Sequence, residues 1–169
     1  MPTEAILREP AERVHAEELA RLAEKDDAPR PPGWQLSPRA VRRFVQGDDK
    51  LGITRKFYGD DPLADRAIVS LMSHQGLMLV GEPGTAKSML SELLAAAVSG
   101  RSTCSIQGTA GTTEDQIKYG WNYALLLAEG PTPRALVSGP MLQALRAGWL
   151  CRFEEVTRVQ PEIQDSLIS

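Results

Sequence analysis

The chain has 169 residues, with 19 Lys and Arg against 22 Asp and Glu, a formal net charge of −3 at neutral pH. That balance supplies no electrostatic drive toward nucleic acid or an anionic membrane, and no apolar run exceeds six residues, as in Leu93–Val98, where a spanning helix needs about 20. Met1 to Ala11 holds Arg8, Glu9 and Pro10 and lacks the apolar stretch of a secretory signal, which makes a cytoplasmic location the expectation.

In chain order, residues 1–36 read as a charged N-terminal segment closed by a proline-rich linker, with residues 37–169 as a separate region. Val14, Leu19 and Leu22 are sparse apolar positions and predict a marginal helix that docks weakly; Pro29, Pro31, Pro32 and Gly33 form a breaker cluster. Ser37 as a cap, Pro38 at the first helical position, Val41, Phe44 and Val45 on one face and Gly47 at the end predict a short docking helix. Its Arg39, Arg42 and Arg43 read as a solvated face. Asp61-Pro62 opens the next helix, with Leu63, Ala67, Ile68, Leu71 and Met72 at helical spacing before Gly76. Leu77 to Val80, bounded by glycines, predicts a strand covered on both faces in a parallel sheet. Met89, Leu90, Leu93, Leu94, Ala97 and Val98 give a helix ending at Gly100, and Thr103 to Ile106 a second strand. Thr113 with Gln116 resembles a capping box, and Leu125 to Ala128 is ambiguous. Gly139-Pro140 starts a helix that runs through Leu145 to Gly148, and Trp149 to Phe153 is a third strand. The alternation predicts an α/β layer structure. Cys104 and Cys151 stand far apart, and His15 and His74 are isolated, so neither a disulfide nor a zinc site is expected.

Gly81-Glu82-Pro83-Gly84-Thr85-Ala86-Lys87-Ser88 lies between a predicted strand and a predicted helix, the context of a nucleotide phosphate loop. Amides in a tight turn face phosphate oxygens, the helix adds its positive dipole end, Lys87 neutralises the terminal phosphates and Ser88 ligates magnesium. The departure from the G-x-x-x-x-G-K-[ST] pattern is Ala86 at the last glycine, where a left-handed backbone would cost about 1–2 kcal/mol. A glycine-rich turn with an exposed lysine is the plainer alternative. Glu154-Glu155 follows the third predicted strand at its carboxyl end, where ligands sit in open α/β sheets. Glu154 is placed to serve magnesium and Glu155 to polarise the attacking water; a solvated acidic turn is the alternative there.

With both motifs in place, the sequence over about residues 37 to 169 resembles the core of the AAA+ ATPases, most closely the MoxR-type branch. Gly81–Ser88 resembles that branch's phosphate loop, including Pro83 and the Thr-Ala-Lys-Ser ending. Glu155-Val156-Thr157-Arg158 with Pro161 and Gln164 resembles its carboxylate, Asn-Arg, proline and Gln pattern, and Gly139-Pro140 is also similar. Tyr58-Gly59 resembles the segment lining the adenine pocket. Two positions depart: Glu154 stands where aspartate is usual and Thr157 where asparagine is.

The resemblance implies a P-loop NTPase (AAA+-like) fold, a parallel sheet flanked by helices, with ATP and Mg2+ as ligands. Gly81, Glu82, Pro83, Gly84, Thr85, Ala86, Lys87, Ser88, Tyr58 and Gly59 would take the nucleotide, Ser88 and Glu154 the metal, and Lys87 and Glu155 the chemistry. It further implies a homo-oligomeric ring, a hexamer, that hydrolyses ATP and remodels or loads a protein client, with a von Willebrand factor A-type protein as a candidate partner. In that family the fourth strand lies between the phosphate-loop strand and the carboxylate strand. Residues 1–169 are therefore expected to be a truncated piece, inactive alone, with the later strands, sensors, arginine finger and helical lid beyond Ser169. A noncatalytic nucleotide-binding regulatory module and a small P-loop phosphotransferase are the competing readings.

Overall fold

A computed structural model describes residues 8–73 and 75–168. The readings made on Met1 to Leu7 and on His74 lie outside the described residues. The chain forms two compact units, Met1–Thr103 and Cys104–Ser169.

The described part of the first unit is helical: α1 (Ala11–Val14), α2 (Ala16–Lys25), α3 (Pro38–Gln46), α4 (Asp61–Met72) and α5 (Lys87–Ser99), with a 3-10 turn at Asp49–Leu51. α3 begins as the sequence predicts. The Ser37 hydroxyl accepts from Ala40 N at 3.2 Å and donates to Asp26 Oδ1 at 2.5 Å, while Ser37 N donates to Asp26 Oδ2 at 2.7 Å. Its apolar face, Val41, Phe44 and Val45, is fully buried, because α4 and α5 both pack against this helix. In α5, Leu90 and the continuous run Leu93–Ser99 are buried, against α1 and α3.

The N-terminal helices dock firmly, not weakly. Leu22 is buried, and Glu18 accepts from Thr54 N at 3.0 Å and Thr54 Oγ1 at 2.8 Å while pairing with the buried Lys56. Lys56 Nζ lies 4.4 Å from the centre of the Phe44 ring and donates to the carbonyls of Phe44 at 3.1 Å and Thr54 at 2.9 Å. The proline segment is docked as well, since Gln35 N donates to Val98 O at the end of α5 at 2.7 Å. Apolar periodicity counts none of these polar ties, which is why the segment reads as marginal.

Leu77 to Val80 corrects a second expectation. It joins no strand, and Met78 and Val80 are 65% and 83% exposed. A buried strand needs backbone partners beside it, and none of the described strands pairs with this segment.

The second unit runs β1 (Ser105–Gln107), α6 (Glu114–Ile117), β2 (Tyr119–Trp121), α7 (Tyr123–Glu129), β3 (Leu136–Ser138), α8 (Pro140–Ala147), β4 (Arg152–Glu154) and α9 (Pro161–Ile168), with a 3-10 turn at Val156–Arg158. β1 pairs with β4 in parallel, Ser105 beside Arg152, Ile106 beside Phe153 and Gln107 beside Glu154. Both strands begin later than their apolar runs predict, because pairing sets their limits. Gln116 Oε1 accepts from Thr113 N at 3.2 Å, in keeping with the capping box, and α8 ends at Gly148 as expected. The ambiguous Leu125–Ala128 run falls in α7, which Asn122 Oδ1 caps at Leu125 N, 3.2 Å away. The antiparallel β2–β3 pair was not foreseen, since its three-residue strands are too short to show a period. The fold is α/β, a small parallel sheet flanked by helices, and no helix among the described residues is long and apolar enough to cross a membrane.

The cap of α3 yields a stability test. Burial works to raise the Asp26 pKa, but the two Ser37 bonds and Arg30 override it and hold the carboxyl below its usual value. A depressed folded pKa contributes stability above the unfolded pKa and loses it as pH falls through the folded one. Ser37→Ala should therefore lower the urea-unfolding free energy at neutral pH by about 1–2 kcal/mol. The difference from wild type should shrink as the pH falls below the ordinary aspartate value of about 3.9 and Asp26 becomes protonated.

Candidate functional site

Gly81–Ser88 leads directly into α5, whose 13 residues start at Lys87. Gly84 turns the chain at φ 81°, and Ala86, the position before the helix, sits at φ 58° and ψ 25°. The left-handed backbone that the missing glycine raised as a concern is thus present. Ala86, at the N-cap, brings no side-chain hydrogen bond to the first turn of α5, and the positive dipole end of the helix lies at the loop.

Lys87 folds back over the loop. Its Nζ donates to Gly81 O at 2.8 Å, Glu82 O at 2.6 Å and Thr85 Oγ1 at 3.2 Å, and Thr85 Oγ1 donates to Glu82 O at 2.8 Å. The loop from Gly81 to Ala86 is exposed throughout, as is Ser88, with Lys87 half-buried. A flexible cation tied to exposed carbonyls, beside a helix start, suits a polyanion. Ser88, in the first turn, offers the hydroxyl for a divalent ion. Among the described residues no cluster of three His, Cys, Asp or Glu is placed to hold a metal alone. A hydroxyl donor of that kind suits magnesium, which is usually held by one or two protein groups together with substrate phosphates.

Tyr58 and Gly59 stand at a different place, the approach to α4. Tyr58 is 81% exposed, with the Arg55 guanidinium 5.8 Å from its ring centre, and Arg55 pairs with Asp61 at the helix start. Gly59 packs against the Phe57 ring so closely that a Cβ there would lie 2.3 Å from Cζ, so a side chain would require the ring to move.

Glu154 and Glu155 belong to the second unit. Glu154 closes β4, where it accepts from Arg152 at 3.0 Å, and its carbonyl accepts from Gly108 N at 2.8 Å. A Cβ on Gly108 would lie 2.6 Å from Glu155 O and 3.0 Å from Glu154 O, so this glycine is what lets the segment after β1 approach the carboxylate turn. Glu155 is left-handed, φ 55° and ψ 41°, and with Ala86 makes up the non-glycine residues of positive φ among the described ones. Its exposed carboxylate pairs with Arg158 at 3.2 Å. Gln164 holds the turn from behind, donating to Val159 O at 2.7 Å.

Arg152, Gly108 and the strained backbone at Glu155 escape the sequence reading. Arg152 stands two residues before Glu154 on one strand face, a period-two signal that could have found it. The others depend on pairing between distant segments. Non-glycine left-handed residues cluster at functional sites, and here both fall in the motifs singled out by chemistry.

Residues 76–169, which contain both motifs, match the family described as AAA domain (dynein-related subfamily). The uncharacterized protein YehL of Escherichia coli (strain K12) is 55% identical over 163 residues, a stretch that covers 96% of this chain and 45% of that protein. The chain thus spans about half the length of this curated relative. No solved structure matches.

The strain at Ala86 is measurable. Releasing it in Ala86→Gly should gain about 1–2 kcal/mol, partly offset by about 0.4–1 kcal/mol of added unfolded-state entropy, for a small net stabilisation. Ala86→Val, β-branched at positive φ, should destabilise instead. Urea-unfolding midpoints of the three chains should rank Gly, Ala, Val from highest to lowest.

Proposed function

The chain belongs to the AAA domain family, dynein-related subfamily, and from that membership we propose that it is the nucleotide-binding core of a MoxR-type ATPase that hydrolyses ATP in its full-length form. The observation that carries this reading is the strained Gly81–Ser88 loop at the start of α5, with the Lys87 ammonium gathered over it. The loop and first-turn amides would bind the phosphates, and Lys87 would exchange its carbonyl partners for phosphate oxygens. The displaced carbonyls of Gly81 and Glu82 belong to exposed residues, so water replaces the lost bonds at little cost. Ser88 and Glu154 are the residues to hold Mg2+, which when bound supplies neutralisation of phosphate charge. Glu155 would orient and deprotonate the attacking water, and Tyr58 and Gly59 would line the base. For the whole protein the proposal is a hexameric ring acting on a protein client, with a von Willebrand factor A-type protein as the candidate partner.

A second reading, a nucleotide-binding regulatory module without turnover, is favoured by one observation. Glu154 is longer than the usual aspartate by a methylene and already has Arg152 at 3.0 Å, which compensates the charge a metal would use.

Lys87 would exchange neutral acceptors for ionic ones, a net gain below the about 1.5–3 kcal/mol of a full charged bond, so Lys87→Ala should weaken MgATP binding to this chain at least about tenfold by isothermal titration. Unchanged affinity would overturn the loop's role. In the full-length protein, Glu155→Gln should keep ATP bound and lower phosphate release by about 10² or more. Equal turnover in wild type and variant moves the base elsewhere, and binding without turnover in the wild type decides for the regulatory module.

A further inference from the structure

The two cysteines, far apart in sequence and expected to be unrelated, are neighbours in the second unit. The parallel register sets Ser105 beside Arg152, so Cys104 and Cys151 face each other one step earlier, where Arg152 N donates to Cys104 O at 2.9 Å. Adjacent strands lie about 4.8 Å apart, inside the Cα separation of about 4.4–6.8 Å that a disulfide spans. Residues at matching positions of a parallel pair send their side chains to the same face. The register sets the Cys104 thiol alongside Cys151, and Cys104 Sγ donates to Pro140 O at 3.4 Å, at the start of α8. Cys104 is buried and Cys151 only half-buried, so a small oxidant meets Cys151 first.

We propose that Cys104 and Cys151 are an oxidative modification site, joined by a reversible intrachain disulfide when the protein meets hydrogen peroxide. The Cys151 thiolate attacks one peroxide oxygen; the S–O bond forms as O–O breaks, and the departing hydroxide takes up the thiol proton as water. Cys104 Sγ then attacks the Cys151 sulfenic sulfur; S–S forms as S–O breaks, and the second hydroxide leaves as water with the Cys104 proton. Two thiols and one peroxide give one disulfide and two waters. The link ties the entry of β1 to that of β4, the strand whose far end carries Glu154, and it stands independently of the nucleotide assignment.

The environment also sets the pace. Burial, with Cys104 alongside, pushes the Cys151 thiol up to about 12, so thiolate is scarce near neutrality. Only the thiolate is nucleophilic, and the reaction should accelerate about tenfold per pH unit from about pH 7 to pH 9.

The test treats the purified chain with hydrogen peroxide at about pH 9, unfolds it, alkylates it with N-ethylmaleimide and reads intact mass and a peptide map. The expected product carries no alkyl label, is lighter than the reduced chain by two hydrogens, yields a peptide linking Cys104 to Cys151, and regains both labels after dithiothreitol. Its thermal midpoint should rise and fall back on reduction, because the cross-link restricts the unfolded chain. Cys104→Ser should instead leave Cys151 as a sulfenic or higher acid. The proposal is overturned if both cysteines of the wild-type chain remain open to alkylation after peroxide, if either accumulates sulfinic acid without the link, or if links join only separate chains. The wild-type peptide map decides even if the serine variant fails to fold.

Discussion

The burial of α5 is the constraint on which the phosphate loop depends. Its last seven residues, Leu93–Ser99, are all buried, while its first turn is left open. A helix anchored in that way offers its positive end as a fixed feature, and the loop before it must meet that end in whatever conformation closes the chain. Full burial of each leucine contributes about 1.5–3 kcal/mol, and Leu90, Leu93 and Leu94 are all at 3% exposure or less. Their sum outweighs the roughly 1–2 kcal/mol cost of a left-handed alanine. The strain at Ala86 persists because the helix behind it does not yield.

The carboxylate turn is built differently to a similar end. The left-handed backbone of Glu155 is held by the β1–β4 pairing in front, by the close pass at Gly108, and by Gln164 on the Val159 carbonyl. In one motif apolar burial supports the strained residue, in the other a set of backbone hydrogen bonds does. The two supports differ in their vulnerability: shortening a leucine in α5 loosens the first, whereas enlarging Gly108 pushes directly on the second.

What was legible in the sequence is what depends on nearby residues. Ser37 as cap, the stops at Gly100 and Gly148, the Thr113–Gln116 pair and the penalty of alanine at position 86 all follow from chemistry within a few residues. What escaped depends on partners brought from elsewhere. The apolar composition of Leu77–Val80 says that the segment suits a sheet, but composition cannot supply the neighbouring strand, and the segment remains unpaired. The docking of α2 rests on Glu18 with Lys56 and Thr54, and the cysteine pairing rests on a strand register across the intervening α6–α8 segment. Neither has a local signal. Candidate roles could thus be proposed residue by residue, while the backbone strain at Glu155 and the partner of Glu154 could not be read.

The resting contacts of Lys87 bear on how affinity would arise. Its ammonium is already satisfied by two carbonyls and a hydroxyl, so a phosphate gains from it only the difference between an ionic partner and three neutral ones. The resting bonds of the ammonium are already charge-assisted, so the exchange adds only the attraction of the second, opposite charge and is smaller than a full new contact. The remainder would come from the backbone at the start of α5, which is fixed in direction by the buried half of the same helix. On the proposed function, affinity would rest on the backbone as much as on the lysine. The left-handed Ala86, which sets the step from loop to helix, would then belong to the binding surface although its side chain is a single methyl group.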